Sequence, residues 1–276
     1  MKDVSTSEDD SNLLVIILDT NPFAWNDSAK AKVPLSLDDA LNQILVFINA
    51  HLSLKHNNSV AVIASHVGHS KFLYPLHEEM SMNGSRRDAN IYPLFQFVTE
   101  QVVSNLQKLF NTDTDFLKRD TGSMPTITGA LSMALCYINR ITKLDDEGYI
   151  KPRILSIPVD VCKIYGEDNA FLQQASNITG GVYVRVDNAQ ALLEYLLMAF
   201  LPDRYSRNFL NLPTQDQVDF RAACFCHKQI VDIGFVCSVC LSIFCKWSPV
   251  CSTCKTKFAF RPMAQNNSMN GSKLKK

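Results

Sequence analysis

The sequence predicts an α/β fold: a mostly parallel sheet with helices on both faces, followed by a small cysteine-rich module at the carboxyl end. Three observations carry this expectation. Unbroken apolar runs such as Leu13-Leu14-Val15-Ile16-Ile17-Leu18 alternate with amphipathic stretches of helical period. Strands apolar on both faces belong to sheets covered on both sides, and strand–helix alternation is the pattern of layered α/β domains. Seven of the nine cysteines fall between Cys224 and Cys254. The charge divides at the same place. Over the 276 residues, 27 basic side chains cancel 27 acidic ones, yet residues 224–276 carry eight basic residues and only Asp232 as an acid, a net of +7 that leaves −7 on the rest. A neutral chain that is 46% hydrophobic builds a core and is neither a wholesale nucleic-acid coat nor a disordered acidic tail.

Residues 1–11 read as a flexible acidic lead without a secretory or Arg-rich transit signal. No apolar run approaches the ~20 residues that span a bilayer. An intracellular, soluble protein is expected. Residues 13–18, ending at Asp19, form the first strand, central and covered on both faces. Residues 36–55 form a helix with Leu37, Leu41, Ile44, Leu45 and Ile48 on one face and Asp38 and Asp39 favourably placed in its first turn. Residues 59–65 (SVAVIAS) are the second strand and 71–74 a short third, with a polar surface loop over 75–92. Helices follow over 93–119 and, after Gly122 and Pro125, over 126–143. A strand over 154–161, a helix over 169–177 stopped by Gly180-Gly181, a strand over 182–186 and an apolar helix over 189–201 ended by Pro202 complete the domain. A connector over 202–222 leads to the cysteines, and the last dozen residues are polar and disordered in character.

The strongest chemical signal is Cys237-x-x-Cys240 followed by Cys251-x-x-Cys254. Each pair presents two thiolates from one knuckle, and two knuckles complete a tetrahedral Zn²⁺ site with no open position, hence a structural one. Hard ions such as Ca²⁺ and Mg²⁺ want oxygen instead. Cys224, Cys226, His227 and Cys245 are further candidates. They fit either a cross-braced module with two zinc ions or a ribbon in which Cys224 with Cys226 or His227 closes on Cys237 and Cys240. As a third alternative, some of them pack as small buried thiols.

No catalytic constellation is visible. The first strand is not followed by a Gly-rich phosphate cradle, and neither Gly-x-Ser-x-Gly nor His-Glu-x-x-His occurs. His66, His69 and His77 read as solvated loop histidines, Cys136 and Cys162 as core thiols, and Asp145-Asp146-Glu147 as a solvated loop. Asp19-Thr20-Asn21-Pro22-Phe23 resembles the Asp-x-Ser-x-Ser loop of von Willebrand factor A domains, which holds Mg²⁺ with a Thr and an Asp from later loops. Residues 125–131 (PTITGAL) resemble the Thr-bearing loop, with Thr126 at the ligand position. In this chain the two Ser positions are Asn21 and Phe23. A phenylalanine cannot ligate Mg²⁺, so that metal site is expected to be dead.

An A-type sheet followed by a cysteine module is similar to the smaller von Willebrand A/zinc-finger core subunit of general transcription factor IIH, the subunit three family. The residues that carry the resemblance are Phe171-Leu172-Gln173-Gln174-Ala175 with Ile178-Thr179-Gly180-Gly181, residues 193–203 (LEYLLMAFLPD), and residues 221–254 (RAACFCHKQIVDIGFVCSVCLSIFCKWSPVCSTC). It covers roughly residues 12–260. It implies a von Willebrand A-like domain over 12–202, a connector over 203–222, a C4-type zinc module over 223–260 and a basic disordered tail over 261–276. One departure stands out. Family members carry two strand–helix units between the Thr-loop helix and the Gln-Gln-Ala helix, whereas here Arg153-Ile154-Leu155 runs almost directly into residues 157–162 (IPVDVC) and on to Asp168. About one strand and one helix are missing, which leaves apolar sheet surface uncovered.

The resemblance implies architecture rather than chemistry. It implies a non-catalytic nuclear subunit that binds the RING-like domain of a larger A-domain subunit and sits with the other TFIIH core subunits. Its work would lie in transcription initiation and nucleotide excision repair, near DNA through the complex, with no membrane and no small-molecule substrate. Two other readings compete: a RING-type ubiquitin-ligase module, and a zinc protein that binds DNA directly through its +7 segment.

Overall fold

Residues 13–19 form β1 (Leu13–Asp19), which pairs in parallel with β2 (Ser59–Ser65) from Leu13 opposite Ser59 to Asp19 opposite Ser65. The computed structural model describes residues 12–31, 33–55, 57–76, 91–112, 127–144, 157–166, 168–203, 205–212, 218–227 and 229–258. β3 (Ser70–Tyr74) adds to β2 in antiparallel sense, across an irregularity between Val62 and Ile63. The sheet therefore runs β1-β2-β3, with β2 in the middle.

The strand period of two sorts β2 onto two faces. Val60, Val62 and Ala64 join the main core with Leu14, Ile16 and Leu18 of β1. Ile63 faces the other way with Val15 and Ile17. The main core is closed by α2 (Leu37–Leu54) and α3 (Ile91–Thr112). From α2 it takes Leu41, Ile44, Leu45 and Ile48, and from α3 it takes Val98, Val102, Leu106 and Leu109. Ser36 caps α2 by accepting the Asp39 N–H at 3.1 Å. Asn105 ties α3 to the sheet by donating to the Leu73 carbonyl at 2.9 Å. The opposite face is covered by α4 (Ile127–Leu144) through Ala130, Met133 and Ala134. Helices thus lie on both faces of this mixed sheet.

β4 (Val161–Lys163) and β5 (Tyr183–Arg185) form a separate parallel ladder, joined by α5 (Ala170–Thr179). Val182, Val184 and Val186 bring it to the main core. Gly180 ends α5 at φ +70°, a left-handed turn that suits glycine. Gly181 lies against the Val159 carbonyl, where a Cβ would come within 2.2 Å. The apolar helix that follows opens as a 3₁₀ turn (Ala189–Ala191), continues as α6 (Leu192–Tyr195) and widens into a π turn (Leu196–Phe200). Arg207, just beyond it, clamps Asp160 with two hydrogen bonds of 2.8 and 2.6 Å and donates to the Pro202 carbonyl at 3.0 Å.

The chain divides into two compact units. One comprises residues up to Asp168 with Ala175–Asp216, and the other comprises Asn169–Gln174 with Gln217–Lys276. The second unit holds the hairpin of β6 (Phe235–Val236) and β7 (Ile243–Phe244). Inside it the Gln174 amide donates to the Asp219 and Arg221 carbonyls at 2.8 and 3.2 Å, and Phe171 meets Phe225 edge-on at 5.9 Å.

Several expectations change. β1 is an edge strand among the described residues, and residues 13–17 are only half-buried, not central and covered. No described strand pairs with its outer side, so the ladder of β4 and β5 is not joined to the sheet. The strand expected over 154–161 is Val161–Lys163, and the junction at residues 153–156 lies outside the described residues. An unexpected helix, α1 (Pro22–Ala29), follows β1, with Asn21 as its cap and Pro22 opening it. Most of the loop read over 75–92, residues 113–119 of the helix read over 93–119, and the tail after 258 also lie outside the described residues. Among the described residues, no helix is long and apolar enough to cross a membrane.

Candidate metal centre

Each cysteine pair of the carboxyl-terminal unit is built by a tight knuckle. In the first, the β6–β7 hairpin turns so that Cys237 N–H donates to the Ser242 carbonyl at 2.9 Å, and Leu241 takes φ +59°. The Cys240 N–H then lies 3.5 Å from Cys237 Sγ. The second knuckle repeats this geometry. Cys251 N–H donates to the Thr256 carbonyl at 2.9 Å, Lys255 takes φ +61°, and Cys254 N–H lies 3.5 Å from Cys251 Sγ. A bulky residue in the left-handed region is uncommon. Its recurrence at the same place in both knuckles shows one backbone solution used twice.

The two knuckles face each other. Cys237 Sγ lies 3.7 Å from Cys254 Sγ, Cys240 Sγ lies 3.6 Å from Cys251 Sγ, and the four sulfurs all lie within 4.8 Å of one another. A tetrahedron of sulfurs at about 2.3 Å from zinc has edges of about 3.8 Å. The donor set fits the ion. Cys237, Cys240, Cys251 and Cys254, the four residues singled out by spacing, are brought together by the fold. The Cys240 thiol is lowered to about 6, first by the Ser242 hydroxyl at 3.2 Å and then by the Ser242 backbone. Cys254 is lowered in the same way by Thr256, at 3.1 Å. Lowered thiols favour the thiolate, which is the ligating form.

A second group gathers Cys224, Cys226, His227 and Cys245, again with all donor atoms within 4.8 Å. The eight side chains therefore divide as 237/240/251/254 and 224/226/227/245, and the ribbon that would join the amino-terminal trio to Cys237 and Cys240 is not formed. For Cys224, burial raises the thiol, but backbone hydrogen bonds from Gln229 and His227 outweigh it and set it at about 6. Cys245 is pushed up, first by its hydrogen bond with the Cys226 thiol. Sulfurs crowded this closely ionise together only around a cation.

The residues at the end of β1 are used locally. Asp19 accepts the Asn21 N–H at 2.9 Å, Asn21 spends its side-chain oxygen on the Phe23 N–H at 3.1 Å, and Phe23 is exposed. Thr126 lies outside the described residues, as do His77 and Asp145-Asp146-Glu147. His66 corrects an expectation. It is buried, 3.0 Å from the Thr20 hydroxyl and edge-on to Phe110, and is not a solvated loop residue. Cys162 packs against the main core, its thiol pushed up to about 12 by burial. Cys136, read as a core thiol, lies on the exposed side of α4.

The profile of the family described as Transcription factor Tfb4 matches residues 11–156 and 154–255. The chain belongs to the Tfb4 family. Among similar proteins, the Schizosaccharomyces pombe General transcription and DNA repair factor IIH subunit tfb4 is 42% identical over 95% of this chain and 94% of its own. The Arabidopsis thaliana General transcription and DNA repair factor IIH subunit TFB4 is 34% identical over 97% and 95%. The solved N-terminal domain of TFIIH p34 covers 69% of this chain and 97% of its own length at 29% identity, with a TM-score of 0.53. The Tfb4 match falls into two pieces that meet at residues 154–156, the place where a strand–helix unit was expected to be missing. No enzyme family is among these relatives.

Proposed function

We propose that this chain is a non-catalytic structural subunit of the TFIIH core in the nucleus. In this reading its von Willebrand A-like domain binds and positions the larger A-domain, RING-like subunit, with the other core subunits around it. The subunit would thereby serve transcription initiation by RNA polymerase II and nucleotide excision repair. The observation that carries the reading is the match to the Tfb4 family over nearly the whole chain.

Two features of the molecule support it. The polar groups at the carboxyl end of β1, where parallel sheets place their chemistry, are engaged in turns and helix capping. The carboxyl-terminal unit also exposes large apolar side chains, among them Ile233, Val236, Val239, Leu241 and Trp247, as expected of a surface that meets protein. Cys237, Cys240, Cys251 and Cys254 would hold a structural Zn²⁺ that fixes both knuckles. The metal supplies folding free energy and has no position open for a substrate. The sharing of ligands, in which one cluster takes three successive donors and reaches past the first knuckle for Cys245, differs from the strict alternation of a RING, which disfavours the ubiquitin-ligase reading.

Co-expression of the full chain with the larger A-domain subunit, followed by tandem affinity purification, tests the proposal. A stoichiometric complex that survives gel filtration is expected. A folded chain that elutes alone would overturn it.

A further inference from the structure

We propose that Cys224, Cys226, His227 and Cys245 form a second structural zinc site, of Cys₃His composition, whose ligands interleave with those of the first. Cys226 Sγ lies 3.5 Å from Cys245 Sγ, and His227 Nδ1 lies 3.3 Å from Cys245 Sγ and 3.9 Å from Cys224 Sγ. Zinc at about 2.3 Å from sulfur and about 2.0–2.1 Å from nitrogen sets a sulfur–nitrogen edge of about 3.6 Å, which the two observed values bracket. Three soft thiolates and an imidazole select zinc over oxygen-seeking ions.

Burial within this unit points the same way. Among its described residues from 218 onward, the buried side chains are Ala223, Cys224, Cys237, Ser242 and Cys251. Three of these five are cysteines, and no large aliphatic or aromatic residue is among them. A module of this size with no apolar core needs a covalent or metal staple. A single ion on Cys237, Cys240, Cys251 and Cys254 would fasten the second half and leave residues 222–231 held by backbone bonds from Cys224 to Gln229 at 2.8 Å, from Val231 to Ala222 at 2.9 Å and from Phe225 to Ile243 at 2.8 Å, together with the edge-on contact of Phe225 with Phe171. The second site would anchor that segment.

Chain order makes the anchoring strong. Cys245 follows β7 directly and lies between Cys240 and Cys251 in sequence. Closing the second site on it ties residues 224–227 to the middle of the loop that the first site closes. Neither metal then fastens a segment independent of the other. The proposal goes beyond the scaffold reading and does not depend on it.

Zinc counting on the purified full-length chain by native mass spectrometry tests it. Two zinc ions per chain are expected, falling to one in the Cys226→Ser, Cys245→Ser double variant. One ion per wild-type chain, two ions retained by that variant, or a Cys226–Cys245 disulfide would each overturn the site. Cobalt exchange protects against a variant that fails to fold. The His227→Cys variant keeps four donors, so it should keep two metals while its visible cobalt bands move from a mixed sulfur–nitrogen pattern to an all-sulfur one. An unchanged spectrum excludes His227 as a ligand and refutes the Cys₃His assignment.

Discussion

A Cβ at Gly181 would lie 2.2 Å from the Val159 carbonyl oxygen and 2.6 Å from its carbon, backbone atoms that cannot swing aside. Gly181→Ala must therefore push β5 away from the residues that lead into β4. A loss of about 2–3 kcal/mol is expected in urea unfolding, near the upper end for overpacked sites. Arg207 is a second such point. Its guanidinium grips both oxygens of Asp160, which also accepts the Val182 N–H at 2.9 Å, and both ion-pair side chains are largely buried. Removing one partner of a buried pair strands the other. Arg207→Ala should cost about 2–4 kcal/mol, and Asp160→Asn should cost less because the amide oxygen still accepts the Val182 bond. Asp19 carries a pH signature. Burial raises it above the usual carboxylate range, against the opposing pull of the Asn21 N–H, Lys163 and the Tyr165 hydroxyl. Because the folded value lies above the unfolded one, this group's stabilising share is complete below the unfolded value and is lost as pH rises through the folded one. The stability of Asp19→Asn relative to the parent should rise with pH across that window, read from denaturant midpoints at pH 4 and pH 7. A flat difference would contradict the assignment.

The helices and strands were legible to different degrees, for physical reasons. Residues 59–65 read as a strand and form one with those bounds, because a short β-rich run between polar breaks has no competing solution. α2 was legible from its apolar stripe and from Asp38 and Asp39 in its first turn; the structure adds Ser36 as its cap, and Ser36→Ala should lower stability by about 1 kcal/mol in thermal unfolding. α1 was missed although its signal, Asn21 followed by Pro22, is the ordinary start of a helix; eight residues are too few to show an apolar stripe of helical period. β1 was read as central from its apolar run, and the run is that of a central strand. Among the described residues no strand pairs with its outer side. His66 could not be read from spacing, since its burial depends on Thr20, a residue 46 positions away. The CxxC pairs pointed to the first candidate centre because local spacing fixes a knuckle. The place of Cys245 was not legible, because a lone cysteine takes its partner from the tertiary fold.

At the scale of the whole molecule, the cancelled charge of the sequence resolves into an acidic α/β unit with an apolar core and a basic unit whose buried residues are largely metal-ligand candidates. The two should answer differently to chelation. A strong chelator is expected to abolish protection of Lys246, Lys255 and Lys257 from trypsin while the helices Leu37–Leu54 and Ile91–Thr112 persist, followed by limited proteolysis and circular dichroism. Uniform resistance with and without chelator would contradict a metal-held unit. At this scale the proposed role is that of a structural subunit of the TFIIH core. The measurement that tests it most directly is the composition of the assembly recovered from nuclear extract on the tagged full-length chain, quantified by mass spectrometry. The larger A-domain subunit and the remaining core subunits are expected in equal stoichiometry with the tagged chain; recovery of the chain as a monomer, with those subunits left in the unbound fraction, would overturn the proposed role.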